Sequence, residues 1–250
     1  MSLHRIAFIS PLGGSGRTTL AAHTAALLAQ RGVQTLAIDL CPQNALGLHL
    51  GLRELPASGW HGLAAQGAWW GDAALENSAG VRLMPHGPSS GALPAFDEPG
   101  SLGAQLDGLD MPAGSVIVLD TPALPAPLAL QAARCADLAV LVLDASVRSL
   151  RMQGVLQDFL SGLPRSVRRA VALTGADPRS ATRRDALQAL RQQWQDVLIP
   201  YTLHADEHVQ QALVQALCVH QHAPQAQAAH DLQGMAEWIA RACALEEGAA

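Results

Sequence analysis

The sequence contains no lysine, and all 16 of its basic residues are arginines. Aromatic residues are scarce at 4%, so alanine, leucine and valine must form most of any core. Only 15% of the residues are charged, and the net charge of −5 argues against a protein whose main partner is nucleic acid. With 250 residues and 49% hydrophobic content, we expect residues 1–250 to form one large α/β domain.

The cysteines also exclude several classes of protein. Cys41, Cys135, Cys218 and Cys243 are far apart and form no CxxC pair. Their spacing argues against a zinc site or a disulfide framework and is typical of reduced thiols in the cytosol. No apolar run reaches the roughly 18 uncharged residues of a transmembrane helix, and the first predicted strand begins too early for a signal peptide. We therefore expect a cytoplasmic protein.

Strand and helix patterns alternate along the chain. This alternation predicts a doubly wound α/β fold with a mostly parallel sheet of about seven strands and helices on both faces. The predicted strands are 4–10, 34–40, 81–85, 115–121, 138–144, 170–174 and 197–201. The predicted helices are 17–31, 126–135, 150–161, 181–194, 206–219 and 231–245.

A glycine-rich turn between the first strand and the first helix has the composition of a phosphate-binding loop. It comprises Gly13, Gly14, Ser15, Gly16, Arg17, Thr18 and Thr19. Glycines let backbone N–H groups approach phosphates, the helix N-terminus favours an anion, and Thr18 is placed to hold Mg²⁺. Arg17 stands where such loops carry lysine, and Pro11 where they carry their first glycine. The turn predicts that ATP and Mg²⁺ bind here, and the alternative is a tight turn without a ligand.

Two aspartates end predicted apolar strands and are candidates for a metal site. Asp39 ends the strand 34–40, and Asp120 ends the strand 115–121. A carboxylate at the carboxyl end of a parallel strand, beside a phosphate loop, can hold Mg²⁺ or order its water ligands. Thr18, Asp39 and Asp120 are therefore the predicted magnesium residues. The alternative for Asp39 is an aspartate that caps the turn before Pro42.

These segments, in this order, resemble the deviant-Walker P-loop ATPases related to ParA and MinD. The loop of that family reads K-G-G-x-G-K-T-T, its second motif D-x-D-P-Q and its third I-D-T-P. The matching residues here are Gly13, Gly14, Gly16, Thr18, Thr19, Asp39, Pro42, Gln43, Asp120, Thr121 and Pro122.

A narrower resemblance is to the BcsQ family of cellulose biosynthesis proteins. It rests on a D-x-C-P-x-N pattern at 39–44, Gly59-Trp60, and segments 71–73, 83–87, 203–207 and 236–238.

The resemblance implies a P-loop fold, ATP and Mg²⁺ as cofactors, and a nucleotide-dependent homodimer. It also implies other cytosolic subunits of a bacterial cellulose synthase complex as partners, so that contact with the inner face of the cell membrane would come only through them. Non-specific binding of nucleic acid is not expected. Two alternatives stay open. One is a true ParA/MinD-type ATPase that positions DNA or cell-pole machinery, and the other is a degenerate scaffold that binds no nucleotide.

The departures from the family motifs predict slow or absent hydrolysis. Leu12 and Arg17 replace both family lysines, and Cys41 replaces the second aspartate, which orients the attacking water in the family. Arg17 keeps a positive charge for the β- and γ-phosphates, and Asp39 and Arg17 are the remaining candidates for catalytic roles. A neutral thiol at Cys41 is a poor substitute for a carboxylate, and losing a water-positioning group costs orders of magnitude in rate.

Three further features each have a functional and a structural interpretation. Trp69-Trp70 is either a docking anchor or a packed pair. The arginines between 165 and 184 either contact DNA or anionic lipid or, as we favour, form a solvated face. His204 and His208 are spaced like a metal pair, but no third ligand is evident, so we favour the start of a helix with acidic residues beside it.

Overall fold

The computed structural model describes residues 3–77, 80–89 and 93–245. The strands are β1 (His4–Ile9), β2 (Thr35–Asp39), β3 (Leu75–Glu76), β4 (Arg82–Met84), β5 (Val116–Asp120), β6 (Leu138–Asp144), β7 (Arg168–Ala176) and β8 (Leu198–His204). In this part of the chain they form one eight-stranded sheet in the order β3-β4-β2-β5-β1-β6-β7-β8. Neighbours are parallel except β3 and β4. The predicted α/β fold is confirmed, and the additional strand β3 is too short to show an alternating pattern in the sequence.

Helices follow most strands and return the chain for the next parallel strand. They are α1 (Arg17–Gln30), α2 (Leu46–His49), α3 (Trp60–Ala65), α4 (Pro94–Asp97), α5 (Ser101–Asp107), α6 (Pro127–Cys135), α7 (Val147–Arg151), α8 (Gln153–Ser161), α9 (Ala181–Gln193), α10 (His208–Val214), α11 (Val219–His222) and α12 (Gln227–Ala242), with a 3₁₀ helix at Trp70–Ala73. The predicted helix 150–161 is divided at Met152. The predicted helix 206–219 ends at Val214, before a turn where Ala216 has a φ of 53°. The short helices between 46 and 107 fell in predicted loops, because so few residues show no helical period.

The sheet is covered on both faces because successive side chains of a strand point in opposite directions. In β1, Ile6 and Phe8 pack in the core that includes α1 and α12, whereas Ala7 and Ile9 pack in the cores of the opposite face. The arrangement is the doubly wound one that the alternation predicted. Among the described residues, no helix combines the length and the apolar character that crossing a membrane would require.

The order of the strands brings the predicted site together. β2, β5 and β1 are neighbours and parallel, so their carboxyl ends lie at one edge of the sheet. Asp39 is in register with Asp120, and Asp120 with Phe8, which directly precedes the end of β1. The glycine-rich loop, which follows β1, is therefore next to both aspartates.

Candidate functional site

The glycine-rich loop has a backbone that glycine accommodates best. Gly14 has a φ of 74° and Gly16 a φ of 80°, both in the left-handed region that side chains disfavour. Gly16 is also the residue that caps the N-terminus of α1. A Cβ on Gly13 or Gly14 would meet nothing within 4 Å, so this face of the loop is open. The loop can therefore admit a ligand close to its backbone, at the positive end of a long helix.

A cavity of about 590 Å³ lies above the loop. One end is formed by residues 12–19, and the other by the end of β8 and by α10, including His204, Asp206 and Leu213. Its size is within the range of about 300–1,000 Å³ that small-molecule and cofactor sites have. Residues at the ends of β7 and β8 also line it, among them Thr174, Gly175 and Leu203.

Ser15 provides a test of whether this loop suits a phosphate group. Its Oγ is buried and has no hydrogen-bond partner among the described residues. Buried polar groups are normally hydrogen-bonded, so this hydroxyl is available to a ligand that enters the loop. Together with the open glycine face and the helix N-terminus, it fits the phosphates of a nucleotide.

Asp120 lies at the end of β5 with both of its carboxylate oxygens bound by residues of α1. Arg17 donates from Nε to Oδ1 at 2.9 Å, and Thr18 donates from Oγ1 to Oδ2 at 2.7 Å. Burial raises the pKa of Asp120, and the Arg17 charge and these hydrogen bonds limit that rise. Thr18 and Asp120, two predicted magnesium residues, are thus in contact, and Arg17 shares the same carboxylate.

Cys41 lies on the other side of the Arg17 guanidinium. Arg17 donates from Nη2 to Cys41 Sγ at 3.4 Å, and the thiol donates to the side-chain oxygen of Gln43. Burial and the nearby Asp120 raise the pKa of Cys41, which keeps the thiol neutral at pH 7. A neutral thiol that donates a hydrogen bond to an amide oxygen cannot accept a proton from water as a carboxylate would.

Asp39 uses its carboxylate to shape the loop that follows β2. Oδ1 accepts from the backbone N–H of Cys41 and Oδ2 from that of Leu46, both at 2.9 Å. Burial and the neighbouring Asp120 raise the pKa of Asp39 to about 7. These contacts match the turn-capping alternative, and a role in ordering a water ligand of a metal stays a prediction.

Three of the segments that carried the narrower resemblance meet beside Asp39. The Trp60 indole N–H donates to the Asp39 carbonyl at 2.7 Å, and the Trp60 backbone N–H donates to the Pro85 carbonyl at 3.0 Å. Asn44 Oδ1 accepts from the Gly87 N–H at 3.0 Å. A Cβ on Gly59 would lie 2.3 Å from the Pro85 carbonyl oxygen, so this contact requires glycine. Tertiary packing thus joins three separate sequence segments behind Asp39.

His204 and His208 pair with different aspartates. His204 Nδ1 lies 2.8 Å from Asp231 Oδ2, whereas His208 Nδ1 lies 2.7 Å from Asp206 Oδ1. In the described ranges, no group of three or more His, Cys, Asp or Glu side chains is arranged for a metal ion. The favoured interpretation agrees with the structure, because α10 begins at His208.

The arginines between 165 and 184 mostly bind backbone carbonyls. Arg168 donates to the Ala242 carbonyl at 2.6 Å and lies over the Trp238 ring, and Arg169 donates to the Leu160 carbonyl at 2.6 Å. Arg184 donates to Pro178 at 2.7 Å. Arg183 binds the Gly175 carbonyl and lines the cavity. Arg168, Arg183 and Arg184 are exposed, which agrees with the favoured interpretation of a solvated face. The bonds of the arginines in this range to carbonyls of helices, of β7 and of one loop were not evident from the sequence.

The Trp69-Trp70 pair is divided between surface and core. Trp70 is 2% exposed and packs edge-on against Trp60 and Phe96, which matches the packing interpretation. Trp69 is 46% exposed. The sequence could not show which tryptophan is buried. Trp69 precedes the 3₁₀ helix and Trp70 begins it, so the two side chains point in different directions.

Solved structures with the same fold include a variant of Cyanothece McdA bound to ATP. Its TM-score is 0.78 with 20% identity, over 100% of both chains. Another is the septum site-determining protein MinD of Pyrococcus horikoshii with Mg-ADP, at a TM-score of 0.75 and 20% identity, over 96% of this chain and 97% of that one. At this identity the likeness shows that the chain has the MinD/ParA P-loop fold.

Relatives of known sequence cover the chain to different extents. An uncharacterized protein of Streptomyces coelicolor is 34% identical over 52% of this chain, which spans only 37% of that protein. The chromosome-partitioning ATPase Soj of Thermus thermophilus is 26% identical over 95% of each chain, and cellulose biosynthesis protein BcsQ of Salmonella typhi is 26% identical over 90% of each. The family model for cellulose biosynthesis protein BcsQ matches residues 4–240. The chain therefore belongs to the BcsQ family of the ParA/MinD-like proteins.

Proposed function

We propose that the chain binds ATP with Mg²⁺ at residues 13–19 and acts as a homodimer that recruits other cytosolic subunits of a bacterial cellulose synthase complex. The observation that supports nucleotide binding is the buried Ser15 hydroxyl, which has no partner in the described chain and lies in an open glycine loop. The role in cellulose synthesis rests on membership of the family.

Each residue of the site has a role in this proposal. The loop N–H groups and Ser15 would bind the β- and γ-phosphates, Thr18 and Asp120 would hold Mg²⁺, and Asp39 would order a water ligand. Mg²⁺ supplies positive charge that offsets the phosphates. Arg17 would add a second positive charge when its guanidinium turns toward the phosphates. The side chains present therefore fit a magnesium nucleotide.

Hydrolysis is slow or absent in this proposal. The position that would orient a water molecule carries the neutral thiol of Cys41, which is hydrogen-bonded to Gln43. Removing a group that positions the nucleophile costs orders of magnitude in rate. Nucleotide would then act as a signal for assembly, and the protein would reach the membrane only through its partners.

Calorimetric titration with ATP and ADP, each with Mg²⁺ and with EDTA, tests nucleotide binding. We expect binding to the wild type and none to Gly16→Val, because a branched side chain cannot adopt the φ of 80° that this position requires. Gly154→Ala is the matched control, since Gly154 is exposed in α8 and a Cβ there meets nothing within 4 Å. Full affinity in Gly16→Val would place the site elsewhere, and no binding to the wild type would favour the scaffold alternative.

Light scattering tests assembly. We expect a dimer with ATP and Mg²⁺ that is weakened by EDTA, because two bound ATP molecules repel each other and Leu12 contributes no compensating charge. Equal dimerisation with and without nucleotide would contradict this part of the proposal. ATP turnover that is stimulated by DNA or by lipid vesicles would favour the partitioning-ATPase alternative.

A further inference from the structure

We propose that Arg17 is an internal competitor of Mg²⁺ for Asp120: its guanidinium holds the carboxylate until nucleotide phosphates draw it away, and only then can the metal bind. The inference concerns the regulation of the nucleotide site and rests on the proposed function. It makes metal binding conditional on nucleotide, through a residue that replaces the usual lysine.

The contact between Arg17 and Asp120 supports this competition. Nε lies 2.9 Å from Oδ1, and the side chains are only 9% and 1% exposed. The second oxygen accepts from Thr18. A divalent cation that binds Asp120 needs these same oxygens, so the guanidinium and the cation exclude one another.

Cys41 adds a second anchor for the guanidinium. Arg17 donates from Nη2 to Cys41 Sγ at 3.4 Å while Nε is engaged by Asp120. The planar fork of arginine reaches both groups at once, which a compact ammonium group does less well. Two positions at which the chain departs from the ParA/MinD motifs, Arg17 and Cys41, are therefore in direct contact.

Charge balance favours an exchange of one cation for the other. Asp39 and Asp120 are both fully buried and in register on adjacent strands, and Arg17 is the cation that pairs with Asp120. If Arg17 left without a replacement, a buried carboxylate would lose its partner, which is strongly unfavourable. Bound phosphates give the guanidinium a new anion, and Mg²⁺ then takes its place at Asp120. Arg17 and Thr18 line the same cavity as the loop, so the guanidinium borders the space that the phosphates would occupy.

Titration with Mn²⁺ alone, followed by electron paramagnetic resonance, tests the competition without nucleotide. We expect the wild type to bind Mn²⁺ weakly, and Arg17→Gln to bind it at least tenfold more tightly. Cys41→Ala keeps the arginine but removes its second anchor, so it should show an intermediate affinity. Arg179→Gln is the matched control, because it removes an exposed arginine that does not line the cavity. Adding ADP should create the tight Mn²⁺ site in the wild type.

The outcomes separate this inference from the proposed function. Equal Mn²⁺ affinity in the wild type and Arg17→Gln, or a wild-type site as tight without ADP as with it, overturns the competition. If ADP binds under no condition, the proposed function fails, yet the nucleotide-free comparison still decides whether Arg17 blocks Asp120. If Arg17→Gln does not fold, Cys41→Ala and Arg17→Lys carry the same test, since both keep a positive charge at position 17. Each weakens the anchoring of that charge, so each should bind Mn²⁺ more tightly than the wild type does. Mn²⁺ affinity equal to wild type in both of these variants then overturns the inference.

Discussion

The hydroxyl of Thr174 donates a hydrogen bond to the carbonyl of Ser15 at 2.6 Å and so joins β7 to the phosphate loop. The methyl carbon of Thr174 also lies 3.5 Å from the point that a Cβ on Gly16 would occupy. In the sheet, β6 separates β7 from β1. The loop follows β1 but is supported by β7, which is not adjacent to β1. Its shape therefore depends on the assembled sheet.

Thr174→Val should weaken both the fold and nucleotide binding. The substitution keeps the shape of the side chain but removes the hydroxyl, so a buried carbonyl loses a donor at a cost of about 1–3 kcal/mol in the free energy of unfolding. A less ordered loop should bind ADP severalfold more weakly. Urea unfolding and calorimetry measure the two effects. Thr174→Ser, which retains the hydroxyl, should bind like the wild type, and equal affinities in the Val and Ser variants would contradict the argument.

Gly59→Ala should destabilise the packing beside Asp39. The added Cβ would lie 2.3 Å from the Pro85 carbonyl oxygen and 2.4 Å from the Gly87 nitrogen, and both are backbone atoms. Displacing them costs about 1–3 kcal/mol, as other overpacked cores show. In Gly154→Ala the same change in a helix with open space should be neutral or stabilising. Denaturant unfolding measures the stability of both variants. An equal loss of stability in the two would contradict the prediction.

Cys41→Asp should raise ATP turnover, alone or together with Leu12→Lys. The new carboxylate would stand where the resemblance to ParA and MinD places an aspartate that orients the attacking water, and the native thiol is neutral. A steady-state phosphate-release assay measures the rate, with Cys41→Asn as the control of similar size that lacks the charge. A wild-type rate within the ordinary enzyme range, around 1–10³ per second, would contradict the expectation of slow turnover.

Acid should destabilise the protein through two buried neutral histidines. Burial lowers the pKa of His23 to about 3 and that of His49 to about 4. His23 donates from Nδ1 to the Thr19 carbonyl at 2.8 Å, and its Nε2 accepts from the Val219 N–H at 3.0 Å, so the neutral ring uses both nitrogens. Because the unfolded chain takes up these protons near pH 6.5, it binds more protons than the folded chain at lower pH.

The contribution of these histidines to stability is therefore complete above pH 6.5 and is lost as the pH falls toward 3. For His23 the loss between pH 7 and pH 4 amounts to about 3 kcal/mol. Urea unfolding at several pH values measures this loss as the slope of the free energy of unfolding against pH. His23→Gln should give a shallower slope than the wild type, whereas the exposed His230→Gln should give the same one. Identical slopes in all three proteins would exclude His23 as the cause.

Local patterns in the sequence were sufficient for most of the fold. The strand 138–144 was predicted with its observed bounds because a continuous apolar run lies between two aspartates. The short strand β3 and the helices between 46 and 107 were missed, since elements of a few residues carry no period. Of these helices, α3, α4 and α5 pack in the core that contains Trp60 and Trp70. His220 and His222 lie in α11, and the ring of His220 contacts that of His23 edge-on.

The sequence by itself determined the long strands and helices, that Asp39 and Asp120 lie at the carboxyl ends of apolar strands, and that a glycine loop follows the first strand. These features depend on apolar periodicity and on backbone conformations that few residue types adopt. Only the tertiary structure decided which groups these side chains contact: Arg17 pairs with Asp120 across 103 positions of sequence, and Thr174 supports Ser15 across 159. Such contacts arise from the rotamers and the packing of residues that are distant in the chain, and no local pattern encodes them.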